Sequence, residues 1–224
     1  MSSMFSHAIS FNQQLSSWDV SNVFSMENMF SNASNFDQDL SSWNVSGVNE
    51  IGSMFYEALN FNGDLSNWDL SNATDTSGMF ANAYNFNGDV SSWNVSMVEN
   101  MAFLFSGCEN FNQDISNWNV SNVTDMTGMF ESALVFDQNL STWDVSNVYN
   151  MSSLFENAAS YNQDLYSWDV TGTELMSNMF LDASSFNQDV SNWDISNVTE
   201  MENIFDNTSL SETNKCIIHT SFSL

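Results

Sequence analysis

Six aspartates recur at multiples of 25 residues, which makes them the first candidates for metal chemistry. Each precedes an apolar residue, and stacked carboxylates about 5 Å apart would repel each other. A calcium ion, which binds carboxylate and carbonyl oxygens, would relieve that repulsion. Alternatively, each aspartate accepts backbone N–H bonds in its own loop, and Gln14 and Asn139 at the same position fit this role equally well. The candidate ligands are Asp39, Asp64, Asp89, Asp114, Asp164 and Asp189.

A second polar column lies between the tryptophan and the following aliphatic residue of each repeat. Alternation with buried neighbours directs these side chains outward, onto a flat polar face. Such a face is predicted either to bind a glycan or a basic protein, or to be merely solvated. The candidate binding residues are Asp19, Asn44, Asp69, Asn94, Asn119, Asp144, Asp169 and Asp194.

The charge balance restricts the partners of this chain. It has 28 acidic residues against the single basic residue Lys215, and a formal net charge of −27. Phosphate recognition requires lysine and arginine, so nucleic acid and anionic membranes are poor partners. Cations, cationic proteins and neutral glycans remain. We find no nucleophile–base pair or phosphate loop, and a sequence that repeats its residues lacks the asymmetry of roles that catalysis needs, so we expect no enzyme and no cofactor other than calcium.

An internal repeat of 25 residues determines the architecture, without insertion or deletion. Eight coils run from Met1 to Glu200 and a partial ninth follows, so that coil 1 is residues 1–25 and coil 2 is residues 26–50. No coil can bury its apolar residues alone, so the coils must stack into a repeat solenoid. The period is carried by Trp18, Trp43, Trp68, Trp93, Trp118, Trp143, Trp168 and Trp193.

Within each coil the apolar spacing predicts one short parallel strand and one short helix. Trp118 and Val120 alternate with polar residues, as in a strand with one buried face. The spacing of residues 101–108 (i, i+3, i+4, i+7) is that of one helix face. Asn22 and its equivalents sit in a turn, and because Gly47 and Gly172 replace them, we expect left-handed backbone or a side-chain bond to the backbone there.

The segment FNQDISNWNVSNVTDMTGMF at residues 111–130 resembles the repeat of bacterial surface proteins and mycoplasma lipoproteins grouped with the BspA-like leucine-rich-repeat proteins. The match extends over residues 1–209, through the pattern W-[DN]-V-S-N-V-x-x-M-x-x-M-F. The resemblance implies a leucine-rich-repeat-like solenoid, exposure at the cell surface or outside the cell, and a role in adhesion or protein interaction.

The two ends differ from the repeat. Residues 1–209 are predicted to form a single solenoid, and residues 210–224 a helical cap. Met4 and Phe5 belong to core positions of a coil that no coil precedes, which predicts a homodimer through the N-terminal end. The first ten residues lack the features of a signal peptide, so we expect the chain to be a piece of a longer protein.

Two functions from different classes follow from these observations. The first is a non-enzymatic, surface-associated repeat protein that mediates adhesion or protein or glycan interaction. The alternative is an acidic solenoid that binds calcium and has a structural or self-assembling role.

Overall fold

The computed structural model describes residues 1–223, so that Leu224, the last residue of the predicted cap, lies outside the described residues. Within this part of the chain the one helix is α1, Glu212–Phe222. The β-structure there consists of isolated parallel bridges, seven in all, which join residues 25 positions apart from Ser25–Glu50 to Leu175–Glu200. Equivalent residues of successive coils therefore lie side by side.

Two columns of phenylalanine rings run through the core. Phe55 stacks on Phe80 in the next coil, with ring centroids 5.6 Å apart, and Phe61 lies 6.0 Å from Phe86 in the same way. Within a coil the two columns touch, because Phe55 and Phe61 are 3.9 Å apart. All four rings are fully buried. The strict period of the sequence thus becomes a continuous stack of aromatic rings, each of which removes a large apolar area from water.

The tryptophans join the coils as well as filling the core. Seven of them, from Trp43 to Trp193, are buried, as predicted, whereas Trp18 in coil 1 is partly exposed. The indole N–H of Trp118 donates to the carbonyl of Val90 at 3.0 Å, and the other buried tryptophans make the same bond to the residue 28 positions earlier. Each of these seven tryptophans therefore links its coil to the preceding one.

The strand and helix predicted for each coil are absent from residues 1–209, where tight turns replace them. The amide of Cys108 donates to the carbonyl of Phe105 three residues earlier, whereas the amide of Phe105 donates to Met129 in the next coil. The physical reason is backbone handedness: Phe103 has φ 58° and Gly107 has φ 69°. A left-handed residue in each turn prevents a right-handed helix from continuing. As a result, every second backbone N–H group points toward the neighbouring coil.

The helix α1 covers part of the last coil. Ser211 caps its first turn by accepting the amide of Asn214 at 3.2 Å. Ile218 and Leu210 are buried, and Phe222 packs against the core. The side-chain amide of Asn214 also donates to the backbone carbonyl of Asn187 at 2.9 Å, which links the helix to coil 8.

Candidate binding surface

The six aspartates predicted to bind metal, here called the Asp39 column, each stabilise a turn in their own coil. The Oδ1 atom of Asp39 accepts the amide of Ser41 at 2.8 Å, and Asp114 accepts that of Ser116 at 3.0 Å. The same bond is made by Asp64, Asp89, Asp164 and Asp189, and by Asn139 in the coil that lacks the aspartate. One oxygen of every carboxylate is thus bonded to the backbone, in the arrangement that the sequence offered as the alternative to metal binding.

These carboxylates are exposed, apart from that of Asp189, which is half-buried. Hydrogen bonds from Ser41 lower the pKa of Asp39, and hydrogen bonds from Ser91 lower the pKa of Asp89. In both cases the serine hydroxyl has the larger effect and the backbone amide the smaller. Within residues 1–223 no three His, Cys, Asp or Glu side chains converge on a point where they could hold a metal ion.

The predicted binding residues, here called the Asp19 column, form a second exposed row. All eight side chains face solvent. Each accepts the amide of the residue two positions later, at 3.1 Å for Asp19 and 3.0 Å for Asp194. Asparagine makes this bond as well as aspartate does, so charge varies along the column while the turn is kept.

Two neighbouring carboxylates of the Asp19 column have their charges stabilised by their own turns. Hydrogen bonds from Thr171 lower the pKa of Asp169, and its hydroxyl has a larger effect than its backbone amide. The charge of Asp194 in the next coil raises the pKa of Asp169 by a smaller amount. The amide and hydroxyl of Ser196 lower the pKa of Asp194 in turn. The carboxylates of Asp169 and Asp194 therefore lie close enough for one to act on the other, and the local hydrogen bonds favour the ionised form of each.

The repeat matches a known protein family. A family model described as Mycoplasma protein of unknown function, DUF285, matches residues 1–92, 65–148 and 115–217 in overlapping segments. The chain belongs to the DUF285 family. This membership confirms the resemblance to a mycoplasma-type repeat, and it carries no assigned activity. No curated protein matches the chain significantly.

Sequence reasoning missed a ladder of side-chain bonds that links the coils of this DUF285 chain. The Oδ1 atom of Asn87 accepts the amide of Asn112 in the next coil at 3.0 Å, and Asn112 accepts that of Asp137 at 3.0 Å. The ladder continues in both directions, from Asn12 to Ser211, with bonds of 2.8–3.0 Å. Its signal in the sequence is an Asn or Asp at this position in each of the eight full coils.

The role predicted for the Asn22 position of the DUF285 repeat is half right. The side-chain amide of Asn122 donates to the carbonyl of Ser96 in the preceding coil at 2.7 Å, and Asn147 bonds Ser121 in the same way. The expected left-handed backbone is wrong, since Gly47 and Gly172 are not among the residues with positive φ. Left-handed residues occur instead at the third and seventh positions of each coil.

No helix within residues 1–223 of this DUF285 protein is long and apolar enough to cross a bilayer.

Proposed function

We propose that this chain is a non-enzymatic solenoid of the BspA-like leucine-rich-repeat type, exposed at the cell surface or outside the cell, that acts by binding. Its partner in adhesion or interaction is a cationic protein or a neutral glycan. The observation that carries the proposal is the Asp19 column, a row of exposed polar side chains repeated in eight coils on a tightly bonded backbone.

Rigidity supports binding by this surface. Indole–carbonyl bonds, side-chain ladders and stacked rings fix each coil against the next. A preorganised array loses little conformational freedom when a partner binds. Repetition allows several weak contacts to act together, so that an extended partner binds more tightly than a single contact would.

Electrostatics favour a positively charged partner over a neutral one. The net charge of −27 accelerates encounters with cationic surfaces and repels phosphate-bearing ones. The one ion pair among residues 1–223 joins Lys215 to Glu212 within α1, at 3.1 Å. The carboxylates of the Asp39 and Asp19 columns therefore have no basic side chain of this chain beside them and remain available to a partner.

A charge-removal variant tests the proposal without disturbing the turns. Asp144→Asn, Asp169→Asn and Asp194→Asn together place in three coils the residue that other coils hold naturally. The matched control, Asp182→Asn, Asp206→Asn and Glu202→Gln, removes the same number of charges from other positions. Binding to surfaces coated with poly-L-lysine, a neutral glucan or an anionic dextran is measured over a range of salt concentrations.

We expect salt-sensitive binding to poly-L-lysine that weakens more in the column variant than in the control. Equal weakening in the two variants would mean that net charge alone drives adsorption and would reject the surface. A third outcome is that the wild-type chain binds the neutral glucan, that salt does not affect this binding, and that the column variant loses it. This result would identify the partner as a glycan.

The alternative is an acidic calcium-binding structural solenoid whose ligands are the carboxylates of the Asp39 column, which recur in successive coils and repel each other. Calcium bridging the coils would remove this repulsion. It would raise the melting temperature beyond the effect of magnesium at equal ionic strength. Equal effects of both ions would reduce the role of cations to screening.

Self-association belongs to the same alternative. Met4 and Ile9 in coil 1 are 55% and 61% exposed, and Phe5 is partly buried. A dimer through this face would cover them. We expect light scattering of the chain at high salt to detect a dimer that Phe5→Asp weakens, and a monomer at all concentrations would reject it.

A further inference from the structure

A groove interrupts the regularity of the surface, and one aromatic residue lies on each side of it. Tyr56 in coil 3 and Phe103 in coil 5 are separated by coil 4, which contributes only small residues, Gly78 and Ala81, at the corresponding positions. The groove has a volume of about 350 Å³. Its remaining lining is polar or small: Ser53, Ser77, Asn82, Ala102 and Ser106.

Phe103 is an unusual residue for its position. Its side chain is 42% exposed and its backbone is left-handed, with φ 58°. Both features disfavour an aromatic residue. In the other coils this position holds only small or polar residues: Ser3, Asn28, Ser53, Gly78, Gly128, Ser153, Asn178 and Asn203.

The neighbouring coil makes room for the ring. A Cβ atom on Gly128 would lie 2.6 Å from Cδ1 of Phe103, so only glycine permits this arrangement. The ring therefore leans toward coil 6, which leaves the space above Gly78 and Ala81 open. The groove thus depends on three departures from the repeat that occur together: an aromatic residue at position 103 and glycines at positions 78 and 128.

A carboxylate lies beside each aromatic wall. Interaction with the carboxylate of Glu57, the next residue in the chain, raises the pKa of the Tyr56 hydroxyl. At the other wall, the carboxylate of Glu131 accepts a hydrogen bond from the hydroxyl of Ser106 at 3.3 Å. Its Oε2 atom is also close to Gly128, since a Cβ atom added to that glycine would lie 3.2 Å from it. Burial, with the charge of Glu156, raises the pKa of Glu131.

We propose that this groove binds the cationic side chain of an arginine or lysine presented by a basic protein, between Tyr56 and Phe103. A cation over aromatic faces is attracted by their quadrupoles, most strongly when it is partly desolvated. Glu57, which follows Tyr56 in the chain, and Glu131, which is hydrogen-bonded to Ser106, supply the opposite charge near the groove. The serine and asparagine oxygens of the lining accept the N–H groups of the bound side chain. The inference rests on the proposed function, because it identifies the partner class of the same acidic solenoid and the point where one side chain is anchored.

The test compares the wild-type chain with a double variant, Tyr56→Ser and Phe103→Asn. Other coils hold serine at the first position, as in Ser31, and asparagine at the second, as in Asn178, so the variant keeps residues that the repeat accepts. The probe is a capped peptide of alternating glycine and arginine, studied by calorimetry at low salt. The same peptide with neutral citrulline in place of arginine reports the contribution of charge. Tyr149→Ser, which removes a tyrosine 45% exposed on another part of the surface, is the matched control.

We expect the arginine peptide to bind about tenfold more weakly to the double variant, and with unchanged affinity to the control. The citrulline peptide should bind weakly to all three proteins. Equal affinity of wild type and double variant, with weaker binding by the Asp144/Asp169/Asp194 variant, would reject the groove and leave the proposed function in place. Failure of the arginine peptide to bind any of these proteins would reject both. Displacement of the peptide by a neutral oligosaccharide at millimolar concentration would also overturn the inference, in favour of a glycan.

Discussion

Tyr161 stacks on Phe155 with ring centroids 4.0 Å apart, and its buried hydroxyl has no hydrogen-bond partner. The seven other full coils place phenylalanine at this position. Burial, with the charges of Asp137 and Asp164, raises the pKa of the Tyr161 hydroxyl well above its ordinary value. The hydroxyl therefore stays protonated, and a polar group is buried without compensation.

Tyr161→Phe should stabilise the protein by about 1–2 kcal/mol, because it removes the unsatisfied hydroxyl and keeps the ring. The matched reverse change, Phe111→Tyr, should destabilise by a similar amount. Urea unfolding followed by tryptophan fluorescence measures both. A loss of stability in Tyr161→Phe would mean that the hydroxyl has a partner in solution.

Phe103→Asn should raise the free energy of unfolding by about 1 kcal/mol, because asparagine adopts the left-handed backbone more readily than phenylalanine. Phe103→Ala also removes the ring, but alanine lacks the side-chain amide through which asparagine can hydrogen-bond locally in the left-handed conformation at φ 58°. It should therefore gain less than Phe103→Asn. Equal stability of the two variants would show that the exposed ring, rather than backbone strain, accounts for the change.

Trp118→Phe should lower the free energy of unfolding by about 2 kcal/mol or more. The substitution loses the bond from the indole to Val90 and leaves a buried carbonyl without that donor. It also removes part of a large apolar side chain. Trp18→Phe is the control, because Trp18 is partly exposed. Melting curves should separate the two variants, and equal losses would contradict a role for the indole bond.

Glu131→Gln should stabilise the protein at neutral pH. The pKa of Glu131 is raised in the folded state by burial first and by Glu156 second, so the ionised carboxylate opposes folding. The gain in stability should be full at a pH above the pKa of Glu131 in the folded protein. It should decrease as the pH falls through that pKa and disappear below the pKa of Glu131 in the unfolded chain. Glu156→Gln should produce part of the same gain. A benefit of Glu131→Gln that persists at acidic pH would point to packing instead of charge.

The sequence predicts burial well, because a constant period assigns the same environment to each equivalent residue. Phe105 and Trp118 are buried for this reason. Backbone conformation was predicted wrongly, since the left-handed positions are occupied by many residue types, among them Glu57 and Phe103. An i, i+3, i+4, i+7 spacing fits a chain of tight turns as well as it fits a helix, and periodicity cannot separate them.

The two aspartate columns were found from the sequence because repetition makes them visible. Their bonds to the amide two residues later are local and follow from known turn chemistry. The groove beside Phe103 could not be found in this way, because it arises from departures from the repeat. Its shape depends on which small residues of the next coils, such as Gly128, lie beside the ring.

The ladder that begins at Asn12 has a mechanical consequence. The side-chain and backbone bonds that leave each coil reach the adjacent coils, so a pulled end detaches one coil after another. Each detached coil of 25 residues lengthens the chain by about 80 Å, which a force–extension trace would record as evenly spaced drops in tension. Anchored between two surfaces, such a molecule would lengthen in equal steps and so limit the load on whatever holds its ends.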